Sequence, residues 1–134
     1  MFQLECIDCH QKYDQSDIIY LCRKCGSLLE VNYDIKKAKS IIGDPPIWSE
    51  RSLSVWKYKE ILPISYNKKI VTLKEGNTKL HKCARLNKIF GIKELYIKNE
   101  GENPTGSFKD RGMTVGVMKA IEYGINKVVC ASTG

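Results

Sequence analysis

Hydrophobic and polar positions divide the chain into stretches of different rhythm. In residues 1–33 the apolar residues come in short clusters. Tyr20-Leu21 leads into a tight turn, Gly26 lets the chain turn out of it, and Leu28-Leu29-Glu30-Val31 reads as a strand. Residues 34–41 suit one short helix, stopped by the breaker cluster Gly43-Asp44-Pro45-Pro46. Residues 47–64 hold Trp48, Trp56, Tyr58 and Leu62-Pro63, the content of an arm lying across a larger body.

From residue 69 the pattern becomes α/β. Lys69–Leu73 predicts a short strand, and Glu75-Gly76-Asn77-Thr78 a turn with a helix cap. A helix is expected from there to about Phe90, with Leu80, Cys83, Ala84 and Phe90 on one face and Gly91 as its stop. Glu94–Lys98 predicts a strand. The next helix is expected from near Ser107 to Gly124, burying Met113, Val117, Ala120 and Ile121, with Phe108 and Val115 on another face. Lys127–Ala131 reads as an apolar strand. Strand, helix, strand at this length predicts a βαβ unit and hence a parallel sheet with right-handed crossovers. The expected fold is α/β, incomplete, with a small module in front: 1–33 the module, 34–68 an arm and linker, 69–134 a partial α/β domain. Ala131-Ser132-Thr133-Gly134 would be a strand's carboxyl end, where ligands of open α/β sheets bind, so these 134 residues are expected to be one piece of a larger assembly.

Composition is that of a soluble globular protein, at 43% hydrophobic and 28% charged. No apolar run has the length of a membrane span, and the first residues lack the basic and apolar regions of a signal peptide, so a cytoplasmic protein is expected. Charge is uneven. Residues 1–33 carry three basic against five acidic residues, and residues 34–134 carry nineteen against ten, giving the net +7. A basic body suits an anionic partner, such as a phosphorylated metabolite, and equally suits a solvated lysine surface. The acidic front module would repel a phosphate backbone, which argues against nucleic acid.

Cys6-x2-Cys9, twelve residues, then Cys22-x2-Cys25 is the spacing of two facing turns that form a tetrahedral thiolate cage suited to Zn²⁺. Some thirty residues bury little core, so a metal staple is expected on stability grounds. A closed four-sulfur site leaves no open coordination position, and its role would be structural. Cys6-Ile7-Asp8-Cys9-His10 also fits a c-type haem attachment, but that requires export and a lone cysteine pair. Disulfides are disfavoured in a cytoplasmic chain, and a thioredoxin-like pair leaves the second pair unexplained. Cys83 and Cys130 stand alone in apolar surroundings and are expected to be buried.

Residues 103–112 read Asn-Pro-Thr-Gly-Ser-Phe-Lys-Asp-Arg-Gly. Ser107-x-x-Asp110 resembles a capping box, which places Lys109 in the first turn of a helix. Burial and the positive helix end both disfavour an ammonium there, and a neutral amine is what a Schiff base needs. Pro104 and Gly106 stiffen and narrow the loop, so that a flat ligand can approach the backbone. A P-loop is a second reading, from Gly101-x4-Gly106, but the lysine comes three places after the glycine and no Lys-Ser/Thr pair follows. A snorkelling surface lysine is the third.

The 103–113 string resembles the cofactor-lysine motif of threonine synthases, a group of fold-type II pyridoxal-phosphate-dependent enzymes. Leu73–Leu80 is similar to that group's Gly-Glu-Gly-Asn-Thr-Pro-Leu stretch, with Lys74 in place of a glycine and Lys79 in place of a proline. Val55–Pro63 resembles its N-terminal arm, Ala131–Gly134 the start of its Ser-Thr-Gly-Asn loop, and the four-cysteine module that of many archaeal and bacterial members. The resemblance implies that Lys109 carries pyridoxal 5′-phosphate as a Schiff base and acts as the catalytic residue, that Phe108 also contacts the cofactor, and that Ser132 and Thr133 contact substrate. It implies conversion of O-phospho-L-homoserine and water to L-threonine and phosphate by γ-elimination and water addition at Cβ, in a homodimer, with no membrane or nucleic-acid partner. Cysteate synthase or another fold-type II pyridoxal-phosphate lyase or synthase is the near alternative, and a non-catalytic zinc-ribbon binding module the alternative of another class. The residues expected to hold the cofactor's phosphate and ring nitrogen fall outside these 134, so this stretch alone is expected to bind the cofactor poorly and to be inactive.

Overall fold

The computed structural model describes residues 2–65 and 69–131. The front module is a three-stranded antiparallel sheet. Strand β1 (Phe2–Cys6) lies between β2 (Lys12–Tyr13) and β3 (Leu29–Tyr33), in register Leu4↔Tyr13 and Leu4↔Val31. The helix expected at 34–41 is α1 (Ile35–Ile42). Asp34 caps it by accepting from the Lys37 amide at 3.0 Å, and Gly43 ends it. The arm contains a 3₁₀ segment at Val55–Ile61 that buries Val55 and Trp56.

Beyond the arm lie β4 (Leu80–Lys82), α2 (Ala84–Phe90), β5 (Tyr96–Lys98), a 3₁₀ turn at Glu100–Glu102 and α3 (Lys109–Glu122). Gly91 takes the left-handed conformation expected of the stop after α2. Trp56, Ile64 and Met118 form the core of this part, packed by Leu62, Ile70, Val115 and Ile121, so the arm does lie across the body. The ribbon is tied to the last turns of α3: the Lys119 ammonium donates to the Gln15 carbonyl at 3.0 Å, and the Tyr123 hydroxyl donates to the Gln15 and Asp17 carbonyls at 3.0 and 3.2 Å.

Four expectations are corrected. The helix expected from residue 78 begins only at Ala84, because Leu80–Lys82 pairs antiparallel with Tyr96–Lys98. The cap did not form, since the Thr78 hydroxyl is engaged with Glu100 and Arg111 instead. Lys69–Leu73 joins no ladder: the Val71 amide meets Met118 Sδ at 3.3 Å and the Leu73 amide donates to Glu75 at 2.7 Å. Lys127–Ala131 likewise has no strand partner among the described residues, and Val129 is 100% exposed. Both sheets are antiparallel, so the α/β class stands while the parallel βαβ unit is not formed within these residues. A parallel strand needs neighbours on which to place its amides, and none of the described segments supplies them.

Helix α3 is also rotated from the expected register. Thr114 and Met118 are its buried residues, while Met113 is exposed. Cys130 is exposed and Cys83 half-buried, contrary to the expectation of burial. No helix among the described residues is long and apolar enough to cross a membrane.

Candidate active site

The first turn of α3 opens onto a cavity of about 880 Å³. Val71, Leu73, Phe108, Met113 and Val117 give it apolar walls, and Lys109 lies at its edge among Thr105, Ser107 and Asp110. The volume is within the range of small-molecule sites, which combine apolar walls with a few placed polar groups. The exposure of Met113 now has a reason, since its face of α3 is turned to this cavity. Phe108 is exposed at the position preceding the helix.

The turn before Lys109 is built differently from a capping box. The Lys109 amide donates to Ser107 Oγ at 3.2 Å, but Asp110 reaches past Ser107 to Thr105, accepting from its amide at 2.9 Å and from its hydroxyl. Gly106, at φ 74°, makes the reversal possible. The loop is therefore closed on itself by a carboxylate within the helix's first turn. Lys109 is half-buried.

Three residues that sequence reasoning gave no role hold the site walls. Glu75 is 1% exposed and accepts from Trp56 Nε1 at 3.0 Å, from the Thr72 hydroxyl at 3.0 Å and from the Leu73 amide at 2.7 Å. Burial opposes its ionisation, yet backbone amides, Thr114 and Thr72 outweigh burial and hold its carboxyl below the ordinary value. Its carbonyl also accepts from the Val55 amide at 3.2 Å, so the arm and the loop at 72–76 share this one residue.

Arg111 and Glu100 form the second anchor. Nε donates to Oε2 at 2.6 Å and an Nη2 hydrogen to Oε1 at 2.8 Å, a two-point pair. The same guanidinium donates to Thr78 Oγ1 at 3.0 Å, and Thr78 donates to Glu100 at 2.7 Å. The Arg111 hydrogen bonds, then that from Thr78, bring the Glu100 carboxyl down to about 2. Asn103, buried, donates to the Glu100 carbonyl at 2.8 Å and accepts from the Gly76 amide at 2.9 Å. A Cβ on Gly76 would stand 3.0 Å from the Val55 nitrogen and 3.2 Å from an Arg111 Nη atom, so only glycine lets arm, loop and helix approach this closely. The only sequence signals for this anchor were Gly76 and the polar string 99–103; sequence separation hides the partners.

The four-cysteine cluster forms as expected. The Sγ atoms of Cys6, Cys9, Cys22 and Cys25 all lie within 4.8 Å of one another, with Cys6–Cys25 and Cys9–Cys22 at 3.5 Å. Four sulfurs around a tetrahedral zinc with Zn–S near 2.3 Å would stand about 3.8 Å apart. The donor set and its spread fit that ion. Ser132 and Thr133, expected to contact substrate, lie outside the described residues.

Residues 71–134 match the family model described as pyridoxal-phosphate dependent enzyme. The chain is 54% identical over 129 residues to threonine synthase of Methanocaldococcus jannaschii, covering 96% of the chain and 31% of that protein. It is 52% identical over 134 residues to threonine synthase of Methanosarcina acetivorans, covering 100% of the chain and 32% of that protein. A further threonine synthase, from Halalkalibacterium halodurans, is 49% identical over 87 residues, covering 61% of the chain and 24% of that protein. No solved structure matches the chain. Residues 71–134 are thus similar to the pyridoxal-phosphate dependent enzymes, a family whose name states its cofactor. More particularly, nearly the whole chain is homologous to threonine synthases, and it spans about a third of the length of the curated relatives it matches.

Proposed function

We propose that this chain is the lysine-bearing part of a threonine synthase, the enzyme that converts O-phospho-L-homoserine and water to L-threonine and phosphate. The observation that carries the reading is the position of Lys109, at the start of α3 and at the edge of an apolar-walled cavity, in a chain so similar to threonine synthases. In this reading residues 1–33 are a zinc module, 34–68 the arm, and 69–134 the portion that holds the cofactor.

Bound covalently at Lys109, pyridoxal phosphate supplies an electron sink for charge that develops at the substrate's carbons. The chain's own residues do the rest. Lys109 Nζ would hold the cofactor and would move protons at the substrate's α and β carbons. Val71, Leu73 and Phe108 would offer a flat ring apolar contact. The loop closed by Asp110 on Thr105 keeps the backbone before Lys109 in one conformation. Ser132 and Thr133 would contact the substrate. The four thiolates would hold one zinc ion with no open position, a structural role.

The test is borohydride reduction of the product of the whole reading frame, followed by peptide mass analysis, with a parallel assay on O-phospho-L-homoserine. A phosphopyridoxyl group on the Lys109 peptide, with threonine and phosphate released in equal amounts, is the expected result. Threonine formation that survives Lys109→Ala, or an unmodified Lys109, would overturn it.

A further inference from the structure

The arginine two places after Lys109 takes no step in the proposed reaction, and its contacts are too many for a surface charge. Positions two apart on a helix project about 200° from one another, so the Lys109 and Arg111 side chains leave the first turn in different directions, although both residues line the cavity. Arg111 is fastened by three hydrogen bonds. It meets both oxygens of Glu100 at 2.6 and 2.8 Å and the Thr78 hydroxyl at 3.0 Å. Asn103 ties the Glu100 backbone to the Gly76 amide. The wall loop at 76–78, the turn at 99–103 and the start of α3 therefore meet at one guanidinium.

We infer that Arg111, held by Glu100, is a positioning residue: it fixes the rotation of the first turn of α3 and so the direction in which Lys109 meets the aldehyde of its cofactor. The inference rests on the cofactor reading above. A helix start secured only by the Ser107 and Asp110 contacts can turn about its axis, since both contacts run to the loop that precedes it, at Ser107 and Thr105. The Glu100 pair restrains that rotation from the far side. Its two parallel bonds resist turning where a single point charge would pivot. A displacement of the reacting amine by about 1 Å is enough to slow a reaction by two orders of magnitude.

A second two-point pair supplies the control. Arg51 meets Glu60 at 2.7 and 2.8 Å through Nη1 and Nη2, but within the arm. Lysine replaces either arginine without removing its charge. The product of the whole reading frame, stripped of cofactor, is mixed with pyridoxal phosphate and sampled by borohydride quench. The mass of the Lys109 peptide gives the rate of attachment, and visible absorption gives the pH midpoint of the attached form. Attachment is expected to slow about tenfold or more in Arg111→Lys and Glu100→Gln, with a shifted pH midpoint, and less in Thr78→Val, which removes one bond of the set. Arg51→Lys is expected to leave both readings unchanged. Attachment at the unaltered rate in Arg111→Lys and Thr78→Val, or an equal slowing in Arg51→Lys, would overturn the inference while leaving the cofactor reading intact. No attachment in the unaltered protein would overturn both.

Discussion

Glu75 is a point of risk in the fold, because a nearly inaccessible carboxylate must be supplied with donors from three directions. Trp56→Phe keeps the ring packed on Met118 and Ile64 and removes one donor. A loss of about 1–3 kcal/mol is expected, measured by urea unfolding, because a buried charged acceptor is left short. A change below about 0.5 kcal/mol would mean that water replaces the indole. Glu100 gives a pH prediction of definite sign. Its carboxyl is lowered from 4.5 to about 2 in the folded chain, so the stability it contributes is complete above about pH 4.5 and is lost as the pH falls through 2. In Arg111→Gln that acid-dependent component should flatten, as followed by circular dichroism during acid titration. An unchanged acid limb would show that other carboxylates set it.

Among the elements, α3 carries most of the design, and its two apolar faces do different jobs. Met118 is 2% exposed and sits in the core, whereas Met113 is turned to the cavity. Met118→Ala is expected to cost about 2–5 kcal/mol and Met113→Ala no more than about 0.5 kcal/mol, both read by thermal or urea unfolding. Equal costs would restore the register expected from periodicity. That expectation went wrong at the cavity face for a physical reason: Met113 and Val117 are as apolar as Met118, and a ligand cavity wants the same side chains as a core. Elements with local causes were legible. Asp34 starts α1, Gly91 ends α2, the cysteine spacing brings four sulfurs together, and the 103–113 string marks the lysine turn. Elements whose hydrogen bonds come from distant residues were not. Leu80–Lys82 could only be recognised as a strand through Tyr96–Lys98, and Thr78 could only be denied its cap through Arg111.

On the scale of the whole molecule, the ribbon and the lysine turn sit at opposite ends of the same helix. The ribbon's contacts with it are to the Gln15 and Asp17 carbonyls, which lie between the two cysteine pairs. As a test of the zinc proposed for the four thiolates, a chelator should release one metal per chain and unlock the strands β1 and β3. It should also expose Lys119 and Tyr123, while the Glu100–Arg111 anchor stays closed. Hydrogen exchange resolved by peptide would show faster exchange in residues 2–33 and unchanged exchange at 109–114. Fast exchange spreading through all of α3 would mean that the ribbon supports the lysine end as well.

The bonds that join the arm to the helix also set an order in time. The ribbon's ladders link residues within about thirty positions of each other. Ser65 meets Glu122 across 57 positions, Val71 meets Met118 across 47, and Lys119 meets Gln15 across 104. Closing longer loops costs more chain entropy before any contact rewards it. On a growing chain the ribbon can therefore mature while α3 is still unmade, and the cavity beside Lys109 becomes a cavity only once the later helix comes back to meet the waiting arm.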